Sequence, residues 1–320
     1  MKHKKNKIRT YKKDTVIVTA GREPEKNHGI LNPPVYHAST ISFPTIEEFQ
    51  RKDDDPYALQ YGRSGTPTTF AFEKAITALH GGFASIAMPS GAAAIACAMT
   101  AFLKKGDHAL IADNVYGPTR QRVARHILVR GGVDVTFYNP LLGAKISELI
   151  NSKTKLVFME SPGSLTFEIQ DVPAIAEVDK KAKITSIIDN TWASPYLCQP
   201  INLGVDIVVE AATKYIVGHS DAMMGIITVT NDQYFRDVKK NANAYGYHAA
   251  PDDCYLAARG LRTLSVRLER HQKNALTVVQ WLQSRDEVER VMYPALKDDP
   301  GHSLWKRDFS GASGLFGVVF

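Results

Sequence analysis

A regular alternation of short apolar segments with helical patterns, from about residue 68 to residue 229, limits the folds open to this chain. Seven apolar segments are predicted strands, at 83–88, 108–112, 133–137, 155–159, 184–188, 206–209 and 225–229. One helix is predicted before the first strand, at 68–80, and others between strands, at 91–103, 118–130 and 173–181. Near-continuous apolar strands separated by helices are typical of a mostly parallel sheet covered on both faces. The sequence therefore predicts an α/β fold with a central seven-stranded sheet.

Three parts of the chain differ in pattern, and we expect three units. Residues 1–65 lack the alternation, contain five prolines and show one short helical pattern at 45–51, which predicts a tail and an extended arm. Residues 66–250 form the large domain. Residues 251–320 begin a smaller α/β domain, helical through 254–283 with a strand near 287–291. The final run, 313–320, favours a strand but has no visible partner, so we expect this domain to be incomplete and the chain truncated.

Charge and cysteine content exclude several classes of protein. The formal net charge is +6, but the first thirteen residues carry seven basic side chains and no acidic one, so the remainder is near neutral. A solvated tail without assigned function is expected there, and neither nucleic acid nor membrane is an expected partner. Three widely spaced cysteines fit neither a disulfide framework nor a metal site and favour a reducing cytosol.

Polar residues follow several predicted strands, where open parallel sheets bind their ligands. Gly91 and Ala92 open a helix, and their backbone N–H groups are suited to a phosphate, although a tight turn needed only for packing is an equal alternative. Asp189 ends an apolar strand, where a buried carboxylate needs a cation unless it caps a loop. Tyr116 offers a ring that either stacks on a planar ligand or packs in a turn.

Lys214 lies shortly after the strand at 206–209, among small residues. Taken alone, it fits an ordinary surface lysine. A lysine in a dry site loses its charge readily and forms a Schiff base with an aldehyde. A phosphate-binding turn, a buried carboxylate and a desolvated lysine at neighbouring strand ends are what pyridoxal 5'-phosphate requires. Together these residues predict that cofactor.

Several motifs in the chain match one known family. The chain resembles the Cys/Met-metabolism pyridoxal-phosphate-dependent enzymes from about residue 15 to its end, and within them the bacterial cystathionine β-lyases. The motifs are Tyr61–Arg63, Gly65–Thr68, Ser90–Gly91, Glu160–Gly163, Asp189–Trp192, Ala212–Ser220 and Arg259–Leu264. The segment around Lys214 is highly specific to the family. The resemblance implies the fold-type-I architecture of pyridoxal-phosphate-dependent transferases and β-elimination of L-cystathionine in methionine biosynthesis.

The resemblance also implies roles for individual residues. Lys214 would carry the cofactor and move the Cα proton, and Asp189 would pair with the pyridine nitrogen. Tyr116 would stack on the ring. The phosphate would be held by the Gly91 and Ala92 amides and the Thr213 hydroxyl, and by Tyr61 and Arg63 of a neighbouring subunit. Catalytic roles are expected for Lys214, Tyr116 and Tyr61, no metal is expected, and the expected assembly is a homotetramer.

Two departures from the family pattern bear on activity. Many relatives have a serine three residues before the lysine, where this chain has Ala211, so one phosphate hydrogen bond is expected to be missing. Family members also normally continue beyond the position of Phe320, with a Ser-Trp-type substrate loop and an arginine that binds the substrate carboxylate. No residue of this chain can be assigned to that arginine.

Three alternatives to the β-lyase interpretation remain. The same lysine and cofactor would serve an amino-acid racemase that returns the proton to the opposite face of Cα. A γ-lyase or γ-synthase is a further option, which Trp192 disfavours. From a different class, the chain would be an inactive relative that survives as an interaction subunit.

Overall fold

A computed structural model describes residues 11–50 and 55–320 of the chain. Most of the predicted basic tail, Lys2 to Arg9, lies outside the described residues, as does Arg51 at the end of the predicted helix 45–51. No described helix is long and apolar enough to cross a membrane.

The chain forms one sheet of seven strands, as predicted. The strands are β1 (Ala84–Met88), β2 (His108–Ala112), β3 (Asp134–Tyr138), β4 (Thr154–Glu160), β5 (Thr185–Asp189), β6 (Ile207–Glu210) and β7 (Gly225–Val229). Their order in the sheet is β1-β7-β6-β5-β4-β2-β3. Both neighbours of β7 pair with it antiparallel, and the other pairings in this sheet are parallel.

Helices flank the sheet and continue after it. They are α1 (Lys13–Thr19), α2 (Ile46–Gln50), α3 (Pro67–His80), α4 (Gly91–Thr100), α5 (Val172–Ala182), α6 (Ser194–Leu197), α7 (Asp232–Ala244), α8 (Pro251–Leu261), α9 (Leu264–Gln283) and α10 (His302–Asp308). Thr119–Val129 is a π-helix, and Pro24–Lys26, Gly62–Ser64, Pro140–Leu149 and Pro200–Leu203 are 3-10 helices. One apolar core surrounds β2, β4 and α4, and a second lies among α3, α8 and α9. The alternation of the sequence thus becomes a sheet with both faces covered.

The structure corrects two predictions in the last seventy residues. The predicted helical stretch 254–283 is two helices, because at Thr263 the backbone leaves the helical region, with φ of −110° and ψ of 9°. The final run does have a partner. Strand β9 (Gly317–Val319) pairs antiparallel with β8 (Arg290–Met292), and the sequence separation between the two strands conceals the pairing.

Candidate active site

Three carboxylates lie at the carboxyl ends of three adjacent strands. Glu160 ends β4, Asp189 ends β5 and Glu210 ends β6. Glu160 is in register with Asp189, and Asp189 with Val209, the residue before Glu210. All three side chains are buried. This is the sheet edge at which a parallel sheet binds its ligand, and it is strongly acidic.

Burial governs the electrostatics of Asp189 and Glu160. It raises the pKa of both carboxyl groups above the ordinary range, and the charge of Asp189 raises the pKa of Glu160 further. Hydrogen bonds from Thr191, whose backbone N lies 2.9 Å from Asp189 Oδ1, oppose the rise at Asp189. The cation that a buried Asp189 is predicted to need is not a side chain of the described part of the chain: in residues 11–50 and 55–320 no lysine, arginine or histidine forms an ion pair with Asp189. Asp189 is therefore suited to a cation brought by a ligand.

Glu160 ties the turn that carries Tyr116 to the sheet edge. One carboxylate oxygen accepts a hydrogen bond from the backbone N of Tyr116 at 2.7 Å, and the other accepts from Ser164 Oγ at 2.5 Å. The ring of Tyr116 is 47% exposed, so it remains available to stack on a ligand. Glu160 belongs to one of the family motifs but is not among the predicted site residues, although it ends an apolar strand just as Asp189 does.

The turn between β1 and α4 has the form of an anion site. Ser90 caps the helix by accepting a hydrogen bond from the Ala93 backbone N at 3.1 Å. The amides of Gly91 and Ala92 precede that bond and have no hydrogen-bond partner within the part of the chain that the structure describes. A Cβ added to Gly91 would lie 2.6 Å from the Cβ of Ala211. The Gly91 and Ala92 amides are thus free at a helix N-terminus, and the turn lies close to Ala211, the residue that follows β6. Free amides at a helix N-terminus fit a phosphate group.

Lys214 follows β6 on a helical turn. Its backbone N donates to Ala211 O at 3.0 Å, and its carbonyl accepts from the Gly218 N at 2.8 Å. The side chain is exposed, so the prediction of a desolvated lysine is wrong for the single chain. The turn carries Lys214 past the end of the strand, and the residue is exposed within the described part of the chain. The amine is consequently accessible to an aldehyde.

The remaining predicted site residues lie in different surroundings. The Thr213 hydroxyl donates to Met224 O at 3.1 Å and accepts from Met224 N at 2.8 Å, so its proton is already used within the chain. Tyr61 is exposed, and the Arg63 guanidinium donates to Asn243 O at 3.3 Å. Within the described part of the chain, no hydrogen bond joins either residue to Asp189 or Lys214. Their roles stay predictions.

Comparison with known proteins decides the family. The model for "Cys/Met metabolism PLP-dependent enzyme" matches residues 14–319. The chain belongs to this family. Pyridoxal 5'-phosphate is therefore its cofactor, and the free amides at Gly91, the unpaired Asp189 and the accessible Lys214 amine fit that group.

Relatives with curated names differ in the reaction they are named for. The chain is 45% identical to a putative cystathionine beta-lyase of Rhizobium johnstonii, covering 100% of this chain and 79% of the relative. The chain is 41% identical to the cystathionine beta-lyase MetC of Escherichia coli, and the match covers 96% of this chain and 78% of the relative. The chain is also 41% identical to the L-alanine/L-glutamate racemase of Wolbachia pipientis, and this match again covers 96% of this chain and 78% of the relative.

The solved structures place the fold within the same group. The structure of metB from Corynebacterium glutamicum superposes with a TM-score of 0.91 at 33% identity, and covers 97% of this chain and 79% of that one. The fold is accordingly that of the fold-type-I enzymes, in agreement with the prediction from the sequence.

Proposed function

We propose that the chain is a carbon–sulfur lyase that cleaves L-cystathionine by β-elimination. The observation that carries the proposal is the shared position of Asp189, Lys214 and the Gly91 turn at one edge of the sheet, in a chain 41% identical to a named cystathionine beta-lyase. Water enters the reaction, and homocysteine, pyruvate and ammonia leave it.

Each site residue has a task in this proposal. Lys214 would hold the cofactor through its ε-amine, and that amine, once free, would remove the Cα proton of the substrate. When bound, pyridoxal phosphate supplies an electron sink for the negative charge left at Cα. Asp189 pairs with the pyridine nitrogen, which keeps that nitrogen protonated. The Cβ–S bond breaks, homocysteine departs with its thiol reprotonated, and hydrolysis of the remaining three-carbon unit gives pyruvate and ammonia.

The other residues position the reacting groups. The Gly91 and Ala92 amides hold the phosphate, and Tyr116 stacks on the ring at a place fixed by the contact between its backbone and Glu160. Tyr61 and Arg63 reach the phosphate of a neighbouring subunit in this proposal, and the Thr213 hydroxyl contributes once it leaves Met224. The motifs support all of these assignments, and the free amides of Gly91 and Ala92 and the exposed Tyr116 support theirs by position as well.

Product analysis tests the proposed reaction. The purified protein is incubated with L-cystathionine, and homocysteine and pyruvate are quantified. We expect equal amounts of the two, and a loss of at least about 100-fold in rate for Lys214→Ala, the contribution of a general base. Lys180→Ala, at an exposed position on α5, is the matched control and should keep full activity. Cysteine with 2-oxobutyrate in place of homocysteine with pyruvate would indicate γ-cleavage and contradict the proposal.

An amino-acid racemase is the second candidate, favoured by the identity to the Wolbachia racemase. The same lysine removes the Cα proton, and a proton returns to the opposite face without loss of a β-substituent. Incubation with L-alanine distinguishes the two reactions: D-alanine formed faster than pyruvate is formed from cystathionine would favour the racemase.

A further inference from the structure

The 3-10 helix Gly62–Ser64, which carries Arg63, is bound to the C-terminal half of α7. Lys239 Nζ donates a hydrogen bond to Ser64 O at 2.6 Å, and the Arg63 guanidinium donates one to Asn243 O at 3.3 Å. The two contacts join positions 175 and 180 residues apart, so no local pattern in the sequence indicates them. The contact from Lys239 is the shorter one, and a short separation is typical of a hydrogen bond with a charged donor.

The arm holds the same short helix from its other end. The backbone N of Gly62 donates to Ser39 O at 2.8 Å. A Cβ added to Gly62 would lie 1.8 Å from Ala38 O, so the arm packs directly against the helix backbone. The arm and α7 together therefore determine where the helix places Arg63.

The Arg63 guanidinium retains donors for a ligand. A guanidinium carries several N–H groups in a fixed planar arrangement, and the contact with Asn243 O uses one of them. In the described part of the chain, the guanidinium forms no other hydrogen bond and no ion pair. The remaining N–H groups are suited to a phosphate, which arginine binds through paired hydrogen bonds.

A buried carboxyl group lies near the Lys239 ammonium. Glu73 on α3 is 2% exposed, and its Oε1 accepts a hydrogen bond from Ala87 N of β1 at 2.8 Å. Glu73, Lys239 and Ser64 line one cavity of about 10 Å³. Burial raises the pKa of Glu73 to about 7, and the charge of Lys239 opposes that rise. Lys239 thus lies between a side chain anchored to the central sheet and the helix that carries Arg63.

We propose that Lys239 is a positioning residue whose hydrogen bond to Ser64 O fixes the helix Gly62–Ser64 and thereby directs Arg63 to the cofactor phosphate in a neighbouring subunit. The inference rests on the proposed contact of Arg63 with that phosphate. Without the ammonium, the Ser64 carbonyl loses its charged donor, and the helix shifts on the side of α7. The phosphate then loses its contact with the guanidinium, whereas the pyridine ring and the aldehyde, which Arg63 is not proposed to contact, bind as before.

Comparison of pyridoxal phosphate with pyridoxal, which lacks the phosphate, tests the proposal. Each compound is titrated into the cofactor-free full-length protein. For Lys239→Met we expect the dissociation constant of pyridoxal phosphate to rise about tenfold, the effect of losing a hydrogen bond to a charged group, and that of pyridoxal to stay unchanged. Lys239→Arg keeps a charged donor and should bind both compounds as the wild type does.

Lys240→Met, at the adjacent exposed position of α7, is the matched control and should change neither dissociation constant. A purely structural role of Lys239 would weaken the binding of both compounds equally in Lys239→Met. That result would overturn the proposal.

The double variant Lys239→Met/Glu73→Gln separates positioning from neutralisation of the buried carboxyl group. Glutamine keeps an acceptor for Ala87 N and needs no cation, so this variant should fold even if Lys239→Met alone folds poorly. We expect the double variant to retain the weakened binding of pyridoxal phosphate. Recovery of wild-type binding would mean that Lys239 only neutralises Glu73, contrary to the proposal.

Arg63→Met identifies where a failure lies. If it weakens the binding of pyridoxal phosphate and Lys239→Met does not, the role of Lys239 is wrong and the proposed contact of Arg63 stands. If Arg63→Met has no effect, the contact of Arg63 with the phosphate is wrong, and the role of Lys239 fails with it.

Discussion

Asp179 on α5 is a buried carboxyl group without a compensating contact. It is 1% exposed, and neither side-chain oxygen has a hydrogen-bond partner in the described part of the chain. Burial, and then the charge of Asp206, raises the pKa of Asp179 to about 8. Asp206 itself accepts hydrogen bonds at 3.0 Å from the backbone N and hydroxyl of Ser186. Asp179 is thus protonated in the folded protein at neutral pH.

A pH-dependent effect on stability follows for Asp179→Asn. An unfolded aspartate has a pKa of about 3.9, so between that value and about 8 the folded state binds the additional proton, and stability falls as the pH rises. Asparagine has no carboxyl group to titrate, so the variant does not lose stability in this way as the pH rises. We expect the stability of the variant relative to wild type to increase by on the order of 3 kcal/mol between pH 5 and pH 8, measured by urea unfolding. Asp286→Asn, at an exposed position, should show no such trend, and a parallel pH dependence of Asp179→Asn and wild type would refute the assignment.

The sequence indicates some site residues and conceals others, for physical reasons. The burial of Asp189 is predictable because the carboxylate ends an apolar strand, and the same rule applied to Glu160 and Glu210 would have found them. The exposure of Lys214 is not predictable, since it depends on which distant segments cover the strand end. The contact between His80 Nε2 and the Glu210 carboxylate, at 3.2 Å, has no local signature either, because a histidine at the end of a helix is compatible with many surroundings.

The turn between β1 and α4 is the element whose packing most restricts its sequence. A Cβ on Gly91 would lie 2.6 Å from Ala211 Cβ and 3.0 Å from its Cα. A Cβ on Gly225 of β7 would lie 2.2 Å from Ser90 O. The two glycines therefore let the turn approach β6 and β7 closely, and this places the free amides of α4 beside the end of β6.

Gly91→Ala tests that close approach. Because a contact with backbone atoms cannot be relieved by rotating a side chain, we expect a loss of about 1–3 kcal/mol in the free energy of unfolding of the cofactor-free protein. Gly117→Ala is the control, since a Cβ there meets nothing within 4 Å, and its effect should stay within about 0.5 kcal/mol. Equal effects of the two substitutions would show that the turn accommodates a Cβ at position 91 without strain.

Helix α1 shows where local pattern fails as a predictor. The β-branched run Val16–Val18 favours a strand, and no helix is predicted there. Contacts with distant parts of the chain instead stabilise a helix at this position. Ile17 is 1% exposed within the core that contains α3, and the Arg262 guanidinium donates to Ile17 O at 2.6 Å and Ala20 O at 2.9 Å. These bonds satisfy carbonyls that a helix leaves free at its C-terminus, and their donor lies more than two hundred residues away.

For the whole molecule, the arm supports the predicted assembly of several subunits. Ile46 and Phe49 are 66% and 69% exposed, and together with Ile41 and Phe43 they line an open groove of about 300 Å³. Exposed apolar side chains in a cluster are typical of protein interfaces. We therefore expect the arm to contact a neighbouring subunit, as it would in the homotetramer that the family resemblance implies. Light scattering counts the subunits directly, and a monomer at working concentrations would contradict the expectation.

The proposed function depends on the attachment of the cofactor to Lys214. Borohydride reduction of the cofactor-loaded protein, followed by peptide mapping with mass spectrometry, tests it most directly, because reduction fixes the cofactor to the amine that holds it. We expect a pyridoxyl-phosphate group on Lys214 and no stable label after Lys214→Ala. A label of equal yield on another lysine in the wild-type protein would contradict the assignment of the site.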